Sequence, residues 1–176
     1  VVGPVLRELV AQTAPADGDF LMVYFSNGHV HFTPRVEAAL KELDCPVLVY
    51  GVRREGRDRN LNFRPPSNTR FVEDLARSRA VFATAGNQLI SEAMFFRKPL
   101  LLLPEDSLEQ RLNAAAIEKM DVGMRTHRNT VTADQLRRLL AARDRLAANI
   151  PDPPADGQAR AVAAIEEYAR ELTGKD

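Results

Sequence analysis

The sequence predicts an α/β fold in which a doubly wound parallel sheet of six strands is flanked by helices. Three observations predict it. Short apolar runs alternate six times with longer amphipathic segments, which is the order of βα units. Most of these runs lack polar alternation, as parallel strands do when helices cover both faces of a sheet. Several amphipathic segments also begin with a residue that can cap a helix.

The six predicted strands are apolar runs of four to seven residues. In chain order they are FLMVYF (20–25), PVLVYGV (46–52), NLNF (60–63), AVFAT (80–84), PLLLLP (99–104) and VGMR (122–125).

The predicted helices lie between and after these strands. Thr33 caps the first of them, with Pro34 at the first helical position,. Capping-box spacing occurs at Asp106 with Glu109 and at Thr132 with Gln135,. The segments are TPRVEAALKELD (33–44), TRFVEDLARSR (69–79), GNQLISEAMFF (86–96), DSLEQRLNAAAIEKM (106–120), TADQLRRLLAARDRL (132–146) and QARAVAAIEEYAREL (158–172).

A single domain is predicted for the 176 residues, with its sheet and helices over 20–150. Residues 1–19 precede the first predicted strand. Residues 151–176 are predicted to be a proline-rich linker, PDPPADG (151–157), and a C-terminal helix that packs elsewhere than on the sheet,.

Composition excludes several classes of function. The chain has 24 Lys and Arg and 24 Asp and Glu, so no net field favours a nucleic acid or membrane partner. One cysteine, Cys45, excludes an internal disulfide and a cysteine metal cluster, and we expect a buried thiol,. No long apolar segment and no signal peptide is visible, so we expect a cytoplasmic location,.

Three loops are nominated because ligands bind at the carboxyl ends of strands in such folds. They are SNGHVH (26–31), TAGNQ (84–88) and PEDSLEQRLN (104–113). Each leads into a helix, whose first N–H groups can hold an anion, and glycine lets a phosphate approach the backbone. Two of these loops contain a glycine, at Gly28 and at Gly86. Neither has a P-loop or dinucleotide fingerprint, so a plain turn remains the alternative to a phosphate site in both.

Other reactive residues give weaker patterns. His29 and His31 lack a third metal ligand nearby, so no metal site is predicted,. Ser26 is outside any G-x-S-x-G elbow, which disfavours hydrolase chemistry,. Gln110 and Asn113 share a helix face and could bind sugar hydroxyls, although exposed helix residues would look the same.

Glu92 stands in the apolar segment TAGNQLISEAMFFRKPLLLLP (84–104). A buried carboxylate is costly unless it is paired. Either Glu92 points out of the core by helical rotation, or it lies in a cleft where it binds a polar ligand.

Residues 70–123 carry a set of spaced motifs: Phe71-Val72, Gly86, Ser91-Glu92, Lys98-Pro99, Gln110 and Asn113-Ala114. Together they resemble the donor-binding, C-terminal domain of GT-B glycosyltransferases of families 28 and 1. The resemblance implies one Rossmann-like GT-B half. The chain departs from the family at Thr84-Ala85-Gly86, at Ser26-Asn27-Gly28 and at Arg97, where the family usually has glycine.

The resemblance also implies the binding roles. Glu92 would bind the ribose hydroxyls, and the N–H groups of Gly86, Asn87 and Gln88 would hold the diphosphate. The backbone at Val72, beside Phe71, would contact the base. The predicted binding residues are Asn27, Gly28, Phe71, Val72, Thr84, Gly86, Asn87, Gln88, Glu92, Glu109, Gln110 and Asn113.

The implied reaction is transfer of a hexose or N-acetylhexosamine from a nucleotide sugar, UDP favoured, to an acceptor hydroxyl. The leaving-group charge would be met by backbone N–H groups and the helix dipole, so the donor is expected to bind without a metal or other cofactor. Arg53 and Arg64 either assist the diphosphate or are surface charges.

The resemblance further implies that the acceptor and catalytic base belong to an absent N-terminal domain, in cis or on a partner subunit. No catalytic residue is therefore predicted here, this chain alone is expected to be inactive, and membrane contact would come through the absent half. Residues 1–19 would then be an interdomain linker or a first helix. The alternatives are a non-catalytic sugar-nucleotide-binding module and a non-hydrolysing UDP-sugar 2-epimerase.

Overall fold

The computed structural model describes residues 5–152 and 157–173, which form seven strands and nine helices. The strands are β1 (Leu21–Tyr24), β2 (Val47–Tyr50), β3 (Gly56–Asp58), β4 (Leu61–Phe63), β5 (Ala80–Ala83), β6 (Leu100–Leu102) and β7 (Gly123–Arg125). The helices are α1 (Glu8–Gln12), α2 (Gly28–His31), α3 (Pro34–Lys41), α4 (Asn68–Arg77), α5 (Asn87–Phe95), α6 (Leu108–Lys119), α7 (Ala133–Ala141), α8 (Arg143–Ala148) and α9 (Gly157–Thr173).

The strands form one sheet in the order β3-β4-β2-β1-β5-β6-β7. Every pair is parallel except β3 with β4. The chain moves outward from β1 in one direction and then returns to add β5 on its other side, so the strand order reverses between β1 and β5. Ligands of doubly wound sheets bind at such a reversal.

All six predicted strands are present, and the doubly wound α/β fold is confirmed. The edge strand β3 was not predicted. Its three residues, Gly-Arg-Asp, include no apolar side chain and are largely exposed, so its backbone pairing with β4 leaves no hydrophobic pattern in the sequence.

Two buried clusters of apolar side chains cover the two faces of the sheet. Met22 belongs to the cluster that includes residues of α1, α4, α5 and α6. Leu21 and Val23 belong to the cluster that includes residues of α3, α7 and α8. Successive side chains of β1 therefore alternate between two apolar layers, which explains why the strand has no polar alternation.

The helix caps in the structure match the predicted caps at two of three positions. Thr33 accepts a hydrogen bond from the Val36 N–H, with Pro34 in the first turn. Thr132 and Gln135 form the predicted capping box. The predicted pair Asp106 and Glu109 is wrong, because Ser107 is the cap and accepts from the Gln110 N–H. The segment predicted as one helix over 132–146 is divided into α7 and α8 at Ala142.

Arg97 ends α5 in the left-handed backbone region, with φ of 55°. Glycine adopts this conformation without the steric cost that a side chain adds, so Arg97 stands where the backbone favours glycine. Here the Arg97 guanidinium donates to the Ile150 carbonyl at 2.9 Å and also pairs with Asp152.

The two ends of the chain differ in how they pack. Residues 5–19 include α1, whose Val10 is fully buried, and the ammonium of Lys98 donates to the Ala16 carbonyl at 2.9 Å. In α9 the large apolar side chains are exposed: Val162, Ile165, Tyr168 and Leu172. The proline-rich linker lies partly outside the described residues. Within the described ranges, no helix is long and apolar enough to cross a membrane.

Candidate functional site

A cavity of about 770 Å³ opens at the carboxyl ends of β1, β2 and β5. Tyr24 and Tyr50, the last residues of β1 and β2, line it together with Thr84, which follows β5. The turn into α5 and the start of α4 form two further parts of the cavity wall. The cavity therefore lies at the reversal of strand order, where the fold places ligands.

The N-terminus of α5 faces this cavity without a side-chain cap. Its cap residue is Gly86, and among the residues that the structure describes no side chain accepts from the first N–H groups of the helix. By contrast, Thr33, Ser67, Ser107 and Thr132 cap α3, α4, α6 and α7. The first N–H groups of a helix have no partner within it, and together with the helix dipole they favour an anion.

Gly86 leaves room at this helix end. A Cβ added at Gly86 would meet no atom within 4 Å, and its φ of −69° is one that any residue adopts. Neither packing nor backbone conformation therefore requires glycine here. Gly86, Asn87 and Gln88, predicted to hold a diphosphate, all line the cavity.

Glu92 lies inside the cavity wall and is only 2% exposed. Its two oxygens accept from Nε and Nη2 of Arg7, both at 2.8 Å, and Oε1 also accepts from Gln88 Nε2 at 3.2 Å. The hydrogen bond to Glu92 raises the pKa of Arg7. Of the two alternatives for Glu92, rotation out of the core does not occur, since the carboxylate is buried and its charge is paired.

Aromatic side chains form another part of the wall. Phe71 packs edge-on against both Tyr24 and Tyr50, with ring centroids 5.2 Å apart in each pair. The Tyr50 hydroxyl donates to Asp74 at 2.6 Å, and burial followed by this contact raises the pKa of Tyr50. The three rings are thus a fixed and uncharged surface against which a planar group can pack.

Gln110 and Asn113 hold the turn before α5. Gln110 Oε1 accepts from the Ala85 N–H at 2.9 Å and from the Glu105 N–H at 3.0 Å. Asn113 Nδ2 donates to the Ala85 carbonyl at 3.0 Å. Both residues were predicted to face a ligand, but neither lines the cavity, whereas Glu109 does. The side-chain amides of Gln110 and Asn113 thus hold the backbone of Ala85, the residue before Gly86.

Three further predicted binding residues are not among those lining the cavity. Val72 is fully buried in the second turn of α4, where helix geometry commits its N–H, so it offers no free donor to a base,. Gly28 is buried against the backbone of Gly51. The Asn27 amide is 3.5 Å from Glu105. The loop after β1 contributes Ser26 to the cavity instead.

The sequence left open whether Arg53 and Arg64 assist the diphosphate or are surface charges. Arg53 and Arg64 are not among the lining residues, and Arg64 Nε lies 3.9 Å from Asp74. Arg7 does line the cavity, 85 positions from Glu92 in sequence. The sequence points to Arg7 only indirectly, because a buried carboxylate such as that of Glu92 needs a partner. In the described part of the chain, no group of three His, Cys, Asp or Glu side chains could hold a metal ion.

Several solved glycosyltransferase structures share this fold. The chain has a TM-score of 0.69 and 21% identity to the calicheamicin glycosyltransferase CalG4, covering 95% of this chain and 46% of that one. SnogD from Streptomyces nogalater gives a TM-score of 0.62 at 19% identity, covering 92% of this chain and 47% of that one. MurG from Acinetobacter baumannii gives a TM-score of 0.67 at 18% identity, covering 93% of this chain and 54% of that one. The chain thus spans about half the length of these proteins and has the fold of one GT-B half.

A search of curated proteins finds no match to this sequence. The model of the family described as glycosyl transferase family 1 matches residues 1–143, which include the whole cavity wall described above. Residues 1–143 are most of the chain, and the fold agrees with the predicted resemblance. The chain therefore belongs to glycosyl transferase family 1.

Proposed function

We propose that this chain is the nucleotide-sugar-binding half of a glycosyltransferase. The donor is a nucleotide diphosphate sugar, with UDP favoured, and the transferred group is a hexose or N-acetylhexosamine that passes to an acceptor hydroxyl. The acceptor and the catalytic base come from a second domain or subunit, so this chain by itself binds the donor without transferring the sugar.

One observation carries the proposal: the uncapped N-terminus of α5 and the buried carboxylate of Glu92 meet in one cavity. A nucleotide diphosphate has a matching pair of groups, an anionic diphosphate and a sugar with hydroxyl donors. Backbone N–H groups and the helix dipole suit the first, and a carboxylate acceptor suits the second.

The remaining parts of the donor have supporting surfaces. The base packs along the wall formed by Phe71 and the start of α4, where Pro66, Ser67 and Asn68 line the cavity. The transferred sugar lies toward Glu109, whose exposed carboxylate can accept hydroxyl donors,. The negative charge that develops on the leaving diphosphate is stabilised by the same N–H groups that bind it, so donor binding needs no metal ion.

Calorimetric titration of the chain with UDP, GDP, TDP and ADP, without added metal, tests the proposal. One nucleotide is expected to bind in the micromolar range. In Glu92→Ala its affinity is expected to fall more than tenfold, about 1.4 kcal/mol, because a hydroxyl of the nucleotide pentose loses its charged acceptor.

Glu118→Ala is the matched control. Glu118 is 47% exposed, pairs with Arg125 and does not line the cavity, so its loss should leave nucleotide affinity unchanged. A thermal melt of both variants separates loss of binding from loss of folding. Absence of binding by all four nucleotides at millimolar concentration would contradict the proposal.

A further inference from the structure

We propose that Arg7 sets the recognition of the nucleotide ribose by making the site indifferent to the 2′-hydroxyl. The inference rests on the proposed function, since it concerns the pentose of the nucleotide bound there. Arg7 acts by occupying acceptor positions on Glu92 that a ribose would otherwise use.

The count of acceptor positions carries the argument. A carboxylate offers about four lone-pair positions on its two oxygens. Arg7 Nε and Gln88 Nε2 both donate to Oε1 of Glu92, at 2.8 and 3.2 Å, and Arg7 Nη2 donates to Oε2 at 2.8 Å. Donors from residues 5–152 and 157–173 therefore fill three positions and leave one on Oε2.

One remaining position suits one hydroxyl donor. A ribose presents two vicinal hydroxyls, whereas a 2′-deoxyribose presents the 3′-hydroxyl alone. With Arg7 in place, Glu92 can accept from the 3′-hydroxyl in both sugars, and the 2′-hydroxyl gains no bond to this carboxylate. Donors built on ribonucleotides and on deoxyribonucleotides are then bound equally well.

Arg7 is held in this position by the fold as well as by the ion pair. It is the N-cap residue of α1, and its carbonyl accepts from the N–H groups of Val10 and Ala11 at 2.9 and 3.2 Å. Val10 is fully buried in the core cluster that also contains residues of α4 and α5. The two-bond fork to Glu92 adds orientational specificity, so a ribose would have to displace an anchored residue to gain a second bond.

The test compares two nucleoside diphosphates that differ only at the 2′-position, such as UDP and dUDP, for the base that the chain binds best. The measured quantity is the ratio of their dissociation constants at pH 8. In the unaltered chain the ratio is expected to be within about twofold of one. In Arg7→Met it should rise to about tenfold in favour of the ribonucleotide, the effect of one added hydrogen bond to a charged acceptor.

Two more variants sharpen the result. Gln88→Leu frees a position on Oε1 without altering Arg7, so it should shift the ratio in the same direction and keeps the test open if Arg7→Met fails to fold. Arg125→Met removes a surface arginine that does not line the cavity, and its ratio should equal that of the unaltered chain.

The outcomes separate this inference from the proposed function. A tenfold preference for the ribonucleotide in the unaltered chain, unchanged in Arg7→Met, would overturn the role of Arg7 and leave nucleotide binding in place. A ratio near one in the unaltered chain, Arg7→Met and Gln88→Leu alike would also overturn it. Absence of binding by every nucleotide would overturn the proposed function and this inference together.

Discussion

Two turns that look alike in the sequence behave differently in the structure. Ser26-Asn27-Gly28 follows β1 and Ala85-Gly86-Asn87 follows β5, and these strands are neighbours in the sheet. A Cβ on Gly28 would lie 2.1 Å from the Gly51 carbonyl oxygen, whereas a Cβ on Gly86 would meet nothing within 4 Å. The first glycine lets two backbone segments touch, and the second leaves space beside a cavity.

The helices that follow these turns differ in the same way. After Gly28 comes α2, a helix of four residues, and after Gly86 comes α5, with nine residues and an uncapped N-terminus on the cavity. A glycine before a helix is thus no evidence of a phosphate site until its surroundings are known. Substitutions in the two turns should therefore differ most in their effect on the free energy of unfolding and least in their effect on nucleotide affinity.

Gly28→Ala should lower the free energy of unfolding by about 2–3 kcal/mol, because backbone atoms of Gly51 must move to admit the methyl group,. Gly86→Ala, with open space around it, should change this free energy by less than about 0.5 kcal/mol. Urea denaturation of both variants measures the difference. Equal effects would mean that the two turns are packed alike.

Gln110→Met should lower the free energy of unfolding by about 1–3 kcal/mol, because the buried N–H of Ala85 loses its acceptor,. Diphosphate affinity should fall as well, since the turn before α5 is no longer held. Gln12→Met is the control: Gln12 is exposed and bonds to Glu8, so urea denaturation should show a change below about 0.5 kcal/mol.

Gly86→Ala should weaken binding of the nucleotide diphosphate about tenfold, or about 1.4 kcal/mol, because the methyl group separates the phosphate from the backbone N–H groups. Binding of the corresponding nucleoside, which has no phosphate, should be unchanged. Calorimetry with both ligands measures the two affinities. An equal loss for nucleoside and diphosphate would show that Gly86 is not at the phosphate.

Asn27→Ala should change nucleotide affinity by less than about twofold, about 0.4 kcal/mol. Asn27 is exposed, is absent from the cavity wall and has a long contact with Glu105 of 3.5 Å. The same calorimetric titration checks it. A tenfold loss would return the loop after β1 to the binding site, as the sequence had suggested.

Prediction from the sequence succeeded where the information is local. Most strands were found because they are apolar runs bounded by polar residues, and the caps Thr33 and Thr132 because their partners lie three residues away. The spaced motifs over 70–123 predicted the GT-B fold, and seven of the twelve predicted binding residues line one cavity: Phe71, Thr84, Gly86, Asn87, Gln88, Glu92 and Glu109.

The other five predicted residues show where local information ends. Val72 has the apolar character of a core residue, and its position within α4 removes its N–H from any ligand. Gln110 and Asn113 have side chains that can bind a sugar or a backbone with equal ease. Their bonds go to Ala85 and Glu105 because α6 packs beside the turn, and that packing cannot be read from α6 itself. Gly28 and Asn27 belong to the turn discussed above.

By itself, the sequence determined the α/β class, the order of strands and helices, and a glutamate that needs a partner in an apolar helix. These depend on hydrophobic period and on neighbours three or four residues apart. The identity of that partner, Arg7, depends on how α1 docks across 85 positions of chain. The difference between Gly28 and Gly86 depends likewise on which backbone lies opposite each turn. Contacts between distant segments arise when the chain packs, and the local pattern of either segment does not contain them.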